Sequence, residues 1–364
     1  MGQSHRQRGD YWLSLIVFAL IAFGLIMIYS VSKYYSLQIT DGQTDKYYLV
    51  RQLVWAVIGL VAWSVTQSID YRYWRKQTKT MFYLTIFFLV LPVFLGGEQR
   101  HWVGLGFVQF QPSEIGKLTF ILYLAGWLSG KAPDLRAVNQ SFFPFLCIMA
   151  AVSLLMLVQG DLGTLSIYIV IATTMFIGAG FALQHFLVGG ALAFFLLWLA
   201  VKIEPYRLER VLTFLNPERN VLGASYHIRN ALIAIGSGGL LGLGFGQSRQ
   251  KYLYLPESHT DSIFAIIAEE LGFVRAVFIL ILFALIALRG LKIATQSTDQ
   301  FARLTALGIT AWLSFQAFVN LGAMLSIMPL TGVPLPFISY GGSSLIFLLS
   351  AVGILVNISK HQEA

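Results

Sequence analysis

Apolar residues along this chain arrive in long blocks separated by short polar punctuation. Blocks of about 17 to 25 predominantly apolar residues are long enough to cross a bilayer as helices. Ten such windows lie near 12–32, 48–67, 80–97, 112–129, 142–159, 163–180, 184–202, 263–288, 304–327 and 343–358. The pattern predicts an all-α polytopic membrane protein of about ten transmembrane helices, a single integral-membrane domain over 1–364. The sixth and seventh windows are so close that they form a tight helical hairpin. An even number of crossings returns the C-terminus to the side of the N-terminus.

Composition agrees with the pattern. Hydrophobic residues make up 57% of the chain and charged residues 12%, with a mean hydropathy of +0.70, which excludes a soluble globular protein of this length. The one cysteine, Cys147, lies inside an apolar segment, so an internal disulfide framework is excluded. The first apolar run has no small-residue cleavage site after it and reads as a retained helix.

Lys and Arg in the short loops set the orientation. With the N-terminus inside, that side collects Arg6, Arg8, Arg72, Arg75, Lys76, Lys79, Lys131, Arg136, Arg289, Lys292, Arg303 and Lys360, against Lys33, Lys46, Arg51 and Arg100 in the short loops opposite. The expected topology is N-in and C-in. Topology then accounts for most of the net charge of +8, and no nucleic-acid footprint is needed.

Once sides are assigned, the unusual polar sequence is nearly all external. Arg100-His101-Trp102 is followed by Gln111-Pro112-Ser113-Glu114, with Lys117 one turn deeper on the face of Glu114. This is either a helix-start ion pair with Lys117 snorkelling outward, or a buried cation for a pyrophosphate or carboxylate. Trp102 suits an interfacial anchor as well as a site residue. Gln159-Gly160-Asp161-Leu162-Gly163-Thr164 breaks two spans, and Asp161 either caps the following helix or faces the cavity. A long external loop, 203–262, contains a glycine-rich apolar stretch from Ile228 to Gly246 that fits an interfacial or re-entrant element. The loop ends in Leu255-Pro-Glu257-Ser-His259-Thr-Asp261 at the mouth of the eighth helix, with Glu269 and Glu270 two turns deeper. A lone Asp261 there would be a helix cap. The clustering of Glu257, His259 and Asp261 beside so apolar a span points to chemistry. The last external piece, Pro329 to Ser344, carries three prolines and three glycines at membrane depth, which is tolerated only inside protein or along a cavity.

These motifs carry a resemblance. Tyr254-Leu-Pro-Glu-Ser-His-Thr-Asp261 leading to Ala268-Glu-Glu-Leu-Gly-Phe273, with Pro334-Leu-Pro-Phe-Ile-Ser339-Tyr-Gly-Gly-Ser-Ser344, closely resembles the bacterial shape, elongation, division and sporulation family of peptidoglycan polymerases. Gln111 to Lys117 and Gln159 to Thr164 match two further family motifs. Ile233 to Gly239 and Gly244 to Lys251 look more like the division branch than the elongation branch. Three positions depart from the family pattern: Gly160 for proline, His101 for arginine, and Arg275 for glycine. Arg275 puts a charge inside the eighth helix, where it must find a partner such as a carboxylate or face water.

The resemblance implies a glycosyltransferase in the bacterial cytoplasmic membrane, at the division septum, that polymerises lipid II on the external face and releases undecaprenyl pyrophosphate. It implies Asp261 as general base, with Lys117, Glu114, Trp102, Arg100, Asp161, His259, Glu257 and Ser339 around the substrate. Positive charge for the leaving pyrophosphate would come from Lys117, from arginines, or from a divalent cation (Mg or Mn) held by carboxylates such as Glu114 and Asp161. The expected partners are lipid II, the nascent glycan strand, a class B penicillin-binding transpeptidase and other membrane proteins of the division machinery. A lipid II flippase, an elongation polymerase and a recruiting scaffold are the competing readings. A flippase wants polar groups near the midplane, and a scaffold needs none at the external mouth.

Overall fold

The computed structural model describes residues 9–96, 101–105, 108–130, 142–180, 190, 202, 208, 212–214, 224–252 and 254–361. Helices α1 (Tyr11–Ile39), α2 (Tyr47–Ser68), α3 (Tyr71–Lys76) and α4 (Thr78–Leu95) come first, then a hairpin of β1 (Val103–Leu105) and β2 (Val108–Phe110). Helices α5 (Pro112–Gly130), α6 (Phe143–Gln159), α7 (Leu162–Gly178) and α8 (Ala224–Gly238) follow, and α9 (Ile263–Gln296), α10 (Gln300–Met324) and α11 (Gly342–Ser359) close the chain. Among the described residues six helices, α1, α2, α4, α9, α10 and α11, are long and apolar enough to cross a membrane, and α6 and α7 are shorter apolar helices. The protein is a multi-pass membrane protein. The expected span over 184–202 lies outside the described residues, apart from 190 and 202.

Boundaries follow local chemistry. Asp10, Asp70, Asp161 and Asp299 cap helices by accepting backbone N–H groups, and Pro112 opens α5 as expected. Helix α10 is enclosed by its neighbours, with Trp312, Gln316 and Asn320 buried, whereas α2 keeps Val54, Val57, Val61 and Val65 exposed as a lipid-facing side does. The start of α1 meets the end of α11: the Asp10 N–H donates to Ser359 Oγ at 2.9 Å, and Arg289 lies 3.7 Å from the Asp10 carboxylate.

Three features differ from the sequence expectation. The eighth span is longer than 263–288, reaching Gln296, and is broken at Gly272. The stretch beginning at Ile228 is a regular helix as far as Gly238, because its glycines gather at the C-terminal end, and it packs on α9. Neither α3 nor the β-hairpin had a signal in the apolar pattern, being too short to make one.

Candidate active site at one end of the bundle

The starts of α5, α7, α9 and α11 converge with the end of α10 and the loop 325–341, and α10 organises them through amides four residues apart. Asn320 Nδ2 donates to the Asp261 carbonyl at 2.7 Å and to the Val333 carbonyl at 2.8 Å. One turn earlier, Gln316 Nε2 donates to the Pro334 carbonyl at 3.0 Å. Gln316 Oε1 accepts from Lys117 Nζ at 2.9 Å and from Trp312 Nε1 at 2.7 Å. Sequence reasoning missed both amides. The signal was there, since two amides at i and i+4 in an apolar helix must share a buried polar face.

Lys117 has no exposed surface and pairs with Glu114 Oε1 at 2.6 Å, with its ammonium 4.9 Å from the Trp312 ring centroid. It does not snorkel, because Gln316 and Trp312 satisfy it in place. Glu114 Oε2 makes no hydrogen bond among the described residues. Ser113 Oγ, His259 Nδ1, Asn320 Oδ1, Thr331 Oγ1 and Ser344 Oγ share that condition. An unpaired buried polar atom costs about 1–3 kcal/mol, and these six lie where the helix starts and the loop 325–341 converge.

Asp261 is half-buried, and its carboxylate lies against Gly332, whose missing Cβ would sit 3.6 Å from Oδ2. It is not the helix cap. That position is Ser262, whose hydroxyl donates to the Pro256 carbonyl at 2.9 Å and lies 2.6 Å from His227 Nε2. Asp161, in contrast, is the cap: its Oδ1 accepts from the Thr164 N–H at 2.9 Å, and Oδ2 accepts from Gln111 Nε2 at 3.1 Å. Gly163 lets α7 touch the loop, since a Cβ there would meet Thr331 O and Val333 at 2.7 Å. Gly163 of α7 and Asp261 therefore both lie against the strip 331–333.

His259 is buried among Tyr48, Tyr35 and Tyr340, with ring centroids at 4.6, 5.1 and 5.7 Å. Burial pushes its pKa below the usual 6.5, opposed by the Glu257 charge. Ser339 Oγ donates to the Thr260 carbonyl at 2.6 Å and accepts from the Leu335 N–H at 2.8 Å, so its hydroxyl ties the loop to the Asp261 segment. The loop is strained as well, with buried Phe337 at φ 65°, a conformation that costs of order 1–3 kcal/mol and concentrates at functional sites. Glu257 is exposed and accepts from Thr260 Oγ1 at 2.8 Å. Trp102 is half-buried at the foot of the hairpin, and Arg100 lies outside the described residues.

The described residues hold no group of three or more His, Cys, Asp or Glu able to ligate a metal ion. Of the two carboxylates expected to hold one, Glu114 pairs with Lys117 through Oε1 and Asp161 is engaged by the cap and Gln111, so a divalent cation there would compete with these contacts. Arg275 is exposed, and its guanidinium donates to the carbonyls of Leu241 at 2.9 Å and Leu271 at 3.1 Å.

A family model described as a cell cycle protein, covering FtsW, RodA and SpoVE, matches residues 11–364. The chain belongs to the FtsW/RodA/SpoVE family. It is 38% identical over 361 residues to stage V sporulation protein E of Bacillus subtilis strain 168, covering 97% of this chain and 98% of that protein. It is 37% identical to a probable peptidoglycan glycosyltransferase FtsW of Trichlorobacter lovleyi, covering 96% and 93%. Among solved structures, one of a peptidoglycan synthase complex that coordinates polymerization and crosslinking matches with a TM-score of 0.78 at 30% identity, covering 96% of this chain and 97% of that one. The crystal structure of Thermus thermophilus RodA matches with a TM-score of 0.72 at 29% identity, covering 98% of each.

Proposed function

We propose that this protein is a peptidoglycan glycosyltransferase that polymerises lipid-linked disaccharide-pentapeptide on the external face of the cytoplasmic membrane, for septal wall synthesis. The carrying observation is the treatment of Asp261: its backbone is fastened by Asn320 while its carboxylate stays half-buried beside Gly332. A fixed carboxylate at the rim of a polar site is what a general base requires. In the reaction, the hydroxyl of one sugar attacks the anomeric carbon of another as Asp261 takes its proton. The new glycosidic bond forms as the bond to the pyrophosphate breaks, and undecaprenyl pyrophosphate leaves with the electron pair.

Lys117 supports this geometry by holding Gln316, which in turn holds the Pro334 carbonyl of the loop beside Asp261. Charge on the leaving pyrophosphate is met by cations at the mouth, among them Arg51, whose guanidinium lies 5.3 Å over the Tyr47 ring next to the His259 cluster. The septal assignment draws on the match to a cell cycle protein family and on relatives named FtsW and stage V sporulation protein E. The proposed partner is a class B penicillin-binding transpeptidase, in keeping with the synthase complex whose fold this chain shares.

The test is incubation of purified chain with lipid-linked precursor and sizing of the glycan, with and without a chelator. Asp261→Asn is expected to fold in the membrane and make no polymer. Normal glycan from that variant overturns the base assignment. Transport of precursor across vesicles by the unaltered chain without polymer would favour the flippase instead. Loss of polymer on chelation would restore a place for a divalent cation.

A further inference from the structure

Adjacent carboxylates Glu269 and Glu270 lie inside the helix that follows Asp261, 1% and 0% exposed, and the chemistry above gives them no task. Helix α9 is broken beside them: Gly272 has φ 80° and ψ 174°, which severs the half-helix 263–271 from the rest of the span. A break in an apolar helix frees backbone groups that must be satisfied within the protein. The turn 239–244 satisfies them from both sides. The N–H groups of Phe273 and Val274 donate to the carbonyls of Gly239 and Leu240 at 2.9 and 3.3 Å, and the carbonyls of Glu269 and Glu270 accept from Leu243 and Gly244 at 3.0 Å each.

Side chains close the same contact. Glu270 Oε1 accepts from Lys251 Nζ at 2.9 Å, and its two oxygens accept from Ser30 Oγ of α1 at 2.9 and 2.8 Å. Glu269 accepts from Ser248 Oγ and from the Arg249 N–H, the latter at 3.0 Å. Lys251 also donates to the Gly246 carbonyl at 2.6 Å. The segment 239–251 is thus fastened to the half-helix by backbone, by hydroxyl and by a buried ion pair, and through Ser30 to α1.

We propose that Glu269, Glu270, Ser248 and Lys251 are positioning residues, a clasp that sets the tilt of the half-helix 263–271 and so the placement of the Asp261 carboxylate. The proposal rests on Asp261 being the base. A half-helix hinged at Gly272 has no continuous hydrogen-bond ladder to hold its angle, so its orientation is carried by what it touches. An error of about 1 Å at a catalytic group costs on the order of a hundredfold in rate. The clasp's side chains are buried, so its loss should appear in kcat and leave KM alone.

The experiment measures kcat and KM on lipid-linked precursor for the unaltered chain, Lys251→Met, Lys251→Met/Glu270→Gln, Ser248→Ala and Ser248→Thr, with thermal unfolding followed in parallel. Lys251→Met removes the cation that Glu270 pairs with, and is expected to lose about tenfold or more in kcat with KM within about twofold. The double variant, which removes both charges and keeps an acceptor for Ser30, is expected to recover most of that loss. Ser248→Ala is expected to lose several-fold in kcat at nearly unchanged Tm, and Ser248→Thr, which keeps the hydroxyl, to retain activity. Unaltered kcat in Ser248→Ala, a deficit that the double or threonine variant does not repair, or an effect confined to KM overturns the clasp. If Lys251→Met fails to fold, the Ser248 pair decides alone. Failure of the unaltered chain to make polymer would sink the proposed activity, an outcome distinct from variants that match an active parent.

Discussion

Lys117 and His259 show what burial does to ionisable residues here. Taking an ammonium and a carboxylate out of water costs several kcal/mol per ion, and Lys117 meets that cost with Glu114, the Gln316 amide and the Trp312 face. The i,i+3 spacing made the ion pair legible in the sequence. That the Gln316 amide would be its partner was not, because that amide arrives from a helix some 200 residues later. His259 has the opposite solution, neutrality among three tyrosines, with its pKa held below 6.5 by burial. The unfolded chain therefore takes up a proton at a pH where the folded one does not. The stability contributed by a neutral His259 is present above 6.5 and is lost as pH falls toward the lower folded value. Thermal unfolding in detergent should shift to lower temperature between about pH 7 and pH 5.5, and the part of that shift due to this ring should vanish in His259→Phe, which keeps the aromatic packing. An identical pH dependence in the variant would remove His259 as its cause. Asp161 and Asp261 make the same point without charge: both precede helices, yet only Asp161 caps one, and the choice depends on where Ser262 and Gln111 lie.

At the scale of elements, the deciding feature is the break in α9. In the sequence Gly272 sits in an otherwise continuous apolar run, and a glycine there costs only about 1 kcal/mol if the helix continues through it. Continuity is prevented by the turn 239–244, whose backbone comes so close that a Cβ on Gly272 would collide with Leu240, Leu241 and Gly242. Gly272→Ala must adopt a left-handed φ and displace that turn. It should lower Tm by several degrees and reduce polymer yield more than its distance from Asp261 suggests. A variant with parental Tm and yield would show that the helix closes over the break without harm. Arg275 belongs to the same element: its donation to the Leu241 and Leu271 carbonyls compensates acceptors at the break, which explains a charge that the sequence left without a partner.

Over the whole molecule, the start of α1 and the end of α11 lie at one end and the polar site at the other, since Asp10 meets Ser359 while Asp261, Asp161 and Glu114 gather at the starts of their helices. With N-in and C-in topology, cysteines placed one at a time in a Cys147→Ser background should separate cleanly. Tyr254→Cys, exposed in the chain, should react with a membrane-impermeant maleimide on intact cells, and His361→Cys only after permeabilisation. The reverse result would invert the topology and place the site inside. The sequence by itself determined the membrane class, most of the spans and the motifs that meet at the site, because lipid solvation acts on each residue through its own polarity and on each helix through its length. It could not determine which polar groups satisfy one another. Asn320 on the Asp261 carbonyl, Gln316 on Lys117 and the turn 239–251 on the broken helix are contacts between distant segments, and only the packing of the helices brings those donors and acceptors within reach.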